Sequence, residues 1–317
     1  PNPTMLHNQD WTSVDLEALA PDAIPATSYK PKGDRAKYDA AYTHWEIEGH
    51  RIAARSSYRV AWRMMAANTG ERTLTPTLIP RGAAHIHGIY SGGGVTARSL
   101  AVALACLSTL LTDFAIRAVP KATISPNTVD RGPVVVGGVV DWMLLRALRL
   151  NCLTDAAAQL WEELAPDLLH SEDAWAGGLQ YPARAEIRQA PLLWNGEVPL
   201  RRASDRRQAQ LELDVLAAIG LGVTADELCT IYRTQFPVLL GYDKGQYVFD
   251  ANGRVVPTPV ASSVRKKGDN LSYDERRYVH PDSGVEYLYE APFMNLDRES
   301  DMRAAYREFE QRLDRTS

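Results

Sequence analysis

The segment SLAVALACLSTLLTDFAIR, residues 99–117, constrains this chain more than any other stretch. Its Leu100, Leu104, Leu107, Leu111 and Phe114 recur at helical spacing, which sets them on one stripe that other elements must cover. Ser99 stands where an N-cap residue would accept from the first turn. So apolar a helix belongs in a core, and the flanking segments must supply the covering layer.

Upstream, YRVAWRMMA, ERTLTPTLIP and AHIHGIYS are short runs rich in β-branched and aromatic residues, separated by Asn68-Thr69-Gly70 and Pro80-Arg81-Gly82. They read as strands joined by turns. Pro76 confines the second run to a sheet edge or a bulge, and Ser91-Gly92-Gly93-Gly94 reads as a flexible loop. Before them, 34–52 is expected to be helical, with Tyr38, Tyr42, Trp45 and Ile52 near one face; residues 1–33, proline-rich and acidic, read as an extended connector.

Downstream the chain is mainly helical. DWMLLRALRLNCLTDAAAQLWEEL is amphipathic, and a further helix spans about 204–219, stopped by Gly220 and Gly222. Thr224 and Glu227 form a capping box for DELCTIYRTQF, which ends at Pro237. QYVFDANGRVV, near 246–256, predicts a hairpin turning at Asn252-Gly253. Residues 257–285, with Arg265-Lys266-Lys267, predict an exposed loop, and 297–313 a charged closing helix. The expected fold is α+β: a mixed-sheet domain over 34–135, then a helical domain over 136–317 carrying the hairpin.

At 317 residues the chain is long enough to bury a core without metals or disulfides. Cys106, Cys152 and Cys229 are odd in number, far apart and in apolar contexts, which predicts reduced core thiols of a cytoplasmic protein. Neither a membrane-length apolar run nor a basic-then-apolar leader is read in the sequence. The net charge of −4 hides an uneven distribution: residues 30–121 hold 13 basic and 6 acidic side chains, whereas 122–317 hold 22 basic and 29 acidic. The basic segment suits a docking face for phosphates.

Several chemistries lack their residues. No Asn or Asp followed by Pro-Pro and an aromatic residue is present, so the grip of an adenine methyltransferase on a flipped base is missing. The glycines at 92–94 lack the spacing and preceding strand of a nucleotide-binding turn. Pro281-Asp282 and Glu286 begin a nuclease-like pattern, but Tyr287 and Leu288 follow where a lysine is required. His85 and His87 would share one strand face without nearby Cys or carboxylate to complete a zinc site. No catalytic, cofactor or metal residues are assigned.

What remains suits recognition. Arg59 and Arg63 flank Trp62, and Arg72, Arg81, His85, His87 and Lys121 follow. Arginine can grip guanine in bidentate fashion and asparagine can grip adenine, each worth about 1–3 kcal/mol of discrimination; Asn68 is the adenine-reading candidate.

The run YRVAWRMMAANTGERTLTPTLIPRGAAHIHGIYS resembles the start of the target-recognition region of type IIG restriction-modification adenine methyltransferases. It is also similar to the methyltransferases of phage-defence systems such as DISARM and BREX. Their E-R-T-L-led turn matches Glu71 to Gly82, with Arg81 replacing a second proline, and their leucine-rich helix closing on D-F-x-x-R matches Asp113, Phe114 and Arg117. Lys121 follows, with Pro120 where relatives have glycine, and the resemblance extends over about residues 35–315 in the same order. It implies a module that docks on double-stranded DNA for a methyltransferase domain expected outside this chain, where S-adenosylmethionine would bind. Arg59, Arg63 and Lys121 would hold phosphates while Asn68, Arg72, Arg81 and His85 reach base edges. The alternative is an interaction scaffold that docks a catalytic or partner subunit of a defence complex.

Overall fold

The computed structural model describes residues 13–24, 32–47, 49–66, 69–119, 122–169, 175–181, 187 and 189–316. After α1 (Arg35–Ala41) comes a hairpin of β1 (His44–Ile47) and β2 (His50–Ala53). The helix expected over 34–52 therefore stops early. Gly49, at φ +77°, supplies the left-handed turn, and the Trp45 and Ile52 read as a helical face pair across the two strands instead.

β3 (Arg59–Arg63) is the centre of a three-stranded sheet between β4 (Thr77–Ile79) and β5 (Ile89–Gly93). β4 begins immediately after Pro76 and lies at an edge. Every described pairing is antiparallel, so the expected mixed sheet is replaced by small antiparallel ones. Ser91, Gly92 and Gly93 are strand, not loop. A Cβ on Gly93 would lie 2.7 Å from the Tyr58 carbonyl oxygen and 3.1 Å from the Trp45 ring, so only glycine lets the β1–β2 hairpin close on this sheet.

The leucine-rich segment forms two helices, α2 (Ala97–Leu107) and α3 (Leu110–Arg117), bent by 64°. Thr96, not Ser99, caps α2 by accepting from the Ser99 amide. Hydroxyls break the run: Ser108 Oγ donates to the Leu104 carbonyl at 2.7 Å and Thr109 Oγ1 to that of Cys106 at 2.9 Å. Thr109 then caps α3 by accepting from Thr112 N. Leucine spacing crosses this break because both helices face the same core.

α4 (Pro126–Val129), α5 (Val140–Asn151) and α6 (Ala158–Leu168) follow, with the single amphipathic run of 141–164 interrupted after Asn151. α7 (Ala203–Gly220) and α8 (Ala225–Gln235) lie where expected, the latter with both halves of its capping box formed, and Pro237 opens α9 (Pro237–Gly245). β6 (Val248–Phe249) bridges Val255 across a turn at Gly253, yet its strand partner is the distant β9 (Met294–Asn295). The presumed loop 257–285 contains α10 (Thr258–Lys267), α11 (Tyr273–Arg276) and β7 (Arg277–Val279), which pairs with β8 (Glu286–Leu288). Arg265, Lys266 and Lys267 occupy the last turn of α10, where the helix dipole favours cations. α12 (Arg298–Thr316) closes the described chain.

The architecture is α+β around one main core that runs from Tyr58 and Trp62 through Leu104, Leu144 and Leu216 to Phe309. The boundary expected at 135 is not a break in this core: Val135 is buried and its amide donates to Cys106 Sγ. α7 lies at the centre against α3, α5, α8 and α12. Being covered on nearly all sides, it pairs its polar groups internally, Glu212 with Arg146, Asp214 with Arg72 and Arg207 with Asp301. A satellite core of Val248, Val256, Val260, Ala261 and Tyr289 holds the 248–289 region. Cys106, Cys152 and Cys229 are buried free thiols. Among the described residues no single helix is long and apolar enough to cross a membrane.

Candidate nucleic-acid interface

On β3, Val60 and Trp62 face the core while Arg59, Ala61 and Arg63 take the opposite face. Arg59 and Arg63 nevertheless differ in kind. Arg59 is fully buried beneath the β1–β2 hairpin, donating to Tyr42 Oη at 3.2 Å and to the Ala83 carbonyl. It cannot reach a phosphate, and its expected role is withdrawn. Arg63 is exposed at the other end of the strand and forms no ion pair among the described residues.

The pairing Arg63↔Ile89 brings the 85–88 stretch to the same end of the sheet. His85 and His87 precede β5 instead of lying on a strand. His85 is half-buried, with Nε2 2.8 Å from Ser91 Oγ, whereas His87 is exposed. Met65 and Ile86 are also exposed there. Ala66 N donates to the Ala122 carbonyl at 3.1 Å, joining the strand's continuation to the segment after α3. Asn68 and Lys121 lie outside the described residues.

Arg81 sits apart. The pairing Arg59↔Ile79 places it beyond the opposite end of β3, about 13 Å or more from Arg63 at ~3.3 Å per strand residue. Its guanidinium lies 4.8 Å over the Tyr58 ring, and Nη1 donates to Gln159 Oε1 at 2.8 Å.

Arg72 points into the helices. Its Nη2 lies 3.0 Å from an oxygen of Asp214, whose side chain is fully buried. It belongs to a knot in which the two motif-bearing segments hold each other. Asp113 accepts from Thr73 N at 2.8 Å, and Arg117 donates to the carbonyls of Gly70, Glu71 and Gln235. The E-R-T-L turn and the D-F-x-x-R helix end are thus one structural unit, and Arg72 is removed from the base-reading set. Of the expected interface, the fold brings together Arg63, His85 and His87.

Sequence reasoning missed a second concentration of arginines. Arg201, Arg206, Arg207 and Arg298 line one cleft, although nearly a hundred residues separate the last from the others. Only the shared burial of α7 and α12 brings them together. No local spacing signals it. Among the described residues no group of three or more His, Cys, Asp or Glu side chains is placed to hold a metal ion.

Comparison of the chain with protein-family models, curated proteins and solved structures finds no match.

Proposed function

We propose that this chain is a recognition module for double-stranded DNA, working in the cytoplasm with an adenine methyltransferase domain or another subunit of a restriction or defence system. The observation that carries the reading is the exposed sheet end where Arg63 and His87 lie together without an ion pair among the described residues. A rigid strand fixes the backbone of such an arginine, and no ion pair has to be broken before it meets a phosphate or a base edge. Motif order supports the same reading, with the motif residues themselves shaping the scaffold beneath the sheet.

Electrophoretic shift with random and defined duplexes at about 50 mM salt tests it. Binding should weaken steeply as salt rises, and Arg63→Ala should reduce the salt slope by about one contact. Absence of binding to any duplex, or a variant indistinguishable from the parent, overturns the reading. A docking scaffold is the second reading, favoured by Leu192 and Leu193, which are 56% and 72% exposed side by side in sequence.

A further inference from the structure

A cleft of about 700 Å³ is lined by residues 14–17, the β7–β8 region and the N-terminal turns of α7 and α12. Six arginines border it against three carboxylates. Those carboxylates are already engaged: Asp15 by Tyr287 and Ser283, Glu17 by Arg254, and Glu71 by Tyr247.

Arg72 and Arg254 are paired with Asp214 and Glu17, but the other four arginines are not matched in the same way. Arg201 donates only to carbonyl oxygens, those of Leu16 and Leu19 at 2.8 Å and of Leu153 at 3.3 Å. Arg206 likewise donates to Leu150 and Leu200, at 3.1 and 3.0 Å. Neither has a carboxylate partner among the described residues. Arg207 and Arg298 are 8% and 5% exposed. Each has an acid on one side, Asp301 and Asp243 respectively, both at 2.6 Å. Their remaining donors, Nε and Nη2 of Arg207 and Nη1 of Arg298, have no hydrogen-bond partner among the described residues.

Buried guanidinium donors without acceptors are costly, and here two such groups lie close enough to repel. Burial lowers the proton affinity of Arg207, and the charge of Arg298 lowers it further. Arg298 also opens its helix, the end where the dipole disfavours cations and favours anions. No side chain caps α7. The first amides of these helices already have acceptors, Asp297 for Glu299 and Ser300 and the Gly253 carbonyl for Ser204; an anion in the cleft would answer the unpartnered guanidinium donors and the repulsion between them.

We propose that this cleft binds the phosphate group of a nucleotide, its oxygens accepting from Arg206, Arg207 and Arg298. Tyr247 and Tyr289 line the same cleft and give the organic part an aromatic wall. The phosphate comes either from a free nucleotide or from a DNA strand. This assignment is independent of the Arg63 surface.

Calorimetric titration of the full chain with pyrophosphate and with ADP at low salt tests it. The expected result is saturable binding, weakened about tenfold or more in Arg206→Gln through loss of a charge-assisted bond. Gln210→Glu, at an exposed position on the cleft and without a hydrogen bond among the described residues, should weaken binding by repulsion while leaving the fold intact. No binding of either probe by the parent protein, or unchanged binding in both variants, overturns the proposal. A 5′-phosphorylated duplex separates the sources. If Arg206→Gln weakens it together with pyrophosphate, the phosphate is that of DNA; if duplex binding persists while pyrophosphate binding falls, it is that of a free nucleotide.

Discussion

Arg72 donates from Nη2 to both carboxylate oxygens of Asp214, at 3.0 and 3.3 Å, across 142 positions of sequence. The second of those oxygens is also the acceptor for Leu110 N, at 2.7 Å, where α3 begins. One carboxylate thus fixes the turn after β3, the bend in the leucine-rich segment and the central helix. Its position explains why an arginine that suits base reading by type is unavailable for it.

Arg72→Ala should destabilise the protein by about 3–5 kcal/mol, because Asp214 would be left buried without its counter-charge. Arg72→Met with Asp214→Asn should recover a large part of that loss, since asparagine keeps the acceptor for Leu110 N without a charge to compensate. Urea unfolding of Arg72→Met, Asp214→Asn and the double variant measures the coupling. Additive losses would show that the pair is not the joint described.

The two arginines of β3 should separate stability from DNA affinity. Arg59→Met should lower the unfolding midpoint, leaving the Ala83 carbonyl and Tyr42 Oη without their donor. Arg63→Ala, at an exposed site, should change stability by no more than about 0.5 kcal/mol yet weaken duplex binding. Thermal unfolding alongside electrophoretic shift distinguishes them; equal effects of both on stability would contradict the burial difference.

Gly253→Ala should destabilise the turn between β6 and α10. The position has φ +76°, and an added Cβ would lie 2.2 Å from Ser204 Oγ and 2.9 Å from its Cβ. Ser204 N also donates to the Gly253 carbonyl at 2.9 Å, so the start of α7 must shift with the turn. A loss of about 1–3 kcal/mol is expected from the crowding, before backbone strain is added. Amide exchange in the first turn of α7 should rise with it, and an unchanged exchange rate there would argue against the contact.

The contact of residues 13–18 with the β7–β8 hairpin should be acid-sensitive. Burial pushes the Asp15 carboxyl upward, but hydrogen bonds from Ser283 and Tyr287 outweigh it and hold the group below its ordinary value of 3.8. A depressed folded value means the contact is fully present above that value and is lost as pH falls through the lower one. Proteolysis of the N-terminal segment, followed with an acid-active protease, should therefore accelerate only below about pH 4. Tyr287→Phe should move the onset upward, and a pH-independent rate would refute the linkage.

Much of the helical half was legible. α7, α8 and α12 follow from caps, glycine stops and spacing that act within a few residues. The failures share one cause. Tyr38 to Ile52 carries a helical pattern of large residues, yet Trp45 is needed over Gly93, and that contact selects the hairpin. Residues 257–285 look polar because their apolar side chains, among them Val260, Ala261 and Tyr278, serve a small satellite core. At the candidate site, strand positions of Arg59 and Arg63 were readable, but which of them is covered depends on a hairpin no local pattern announces. The cleft arginines were beyond reach for the same reason, since their association rests on α7 meeting α12.

The continuity of the main core from Trp62 to Phe309 has a practical outcome for anyone exchanging specificity between related proteins. A splice at 135/136 would cut beside Val135, which packs on Gly220, and would part the Arg72 turn from the helix that neutralises it. Grafts should instead replace exposed side chains around Arg63 and keep the host's own helices, so that sheet and bundle travel as one cassette.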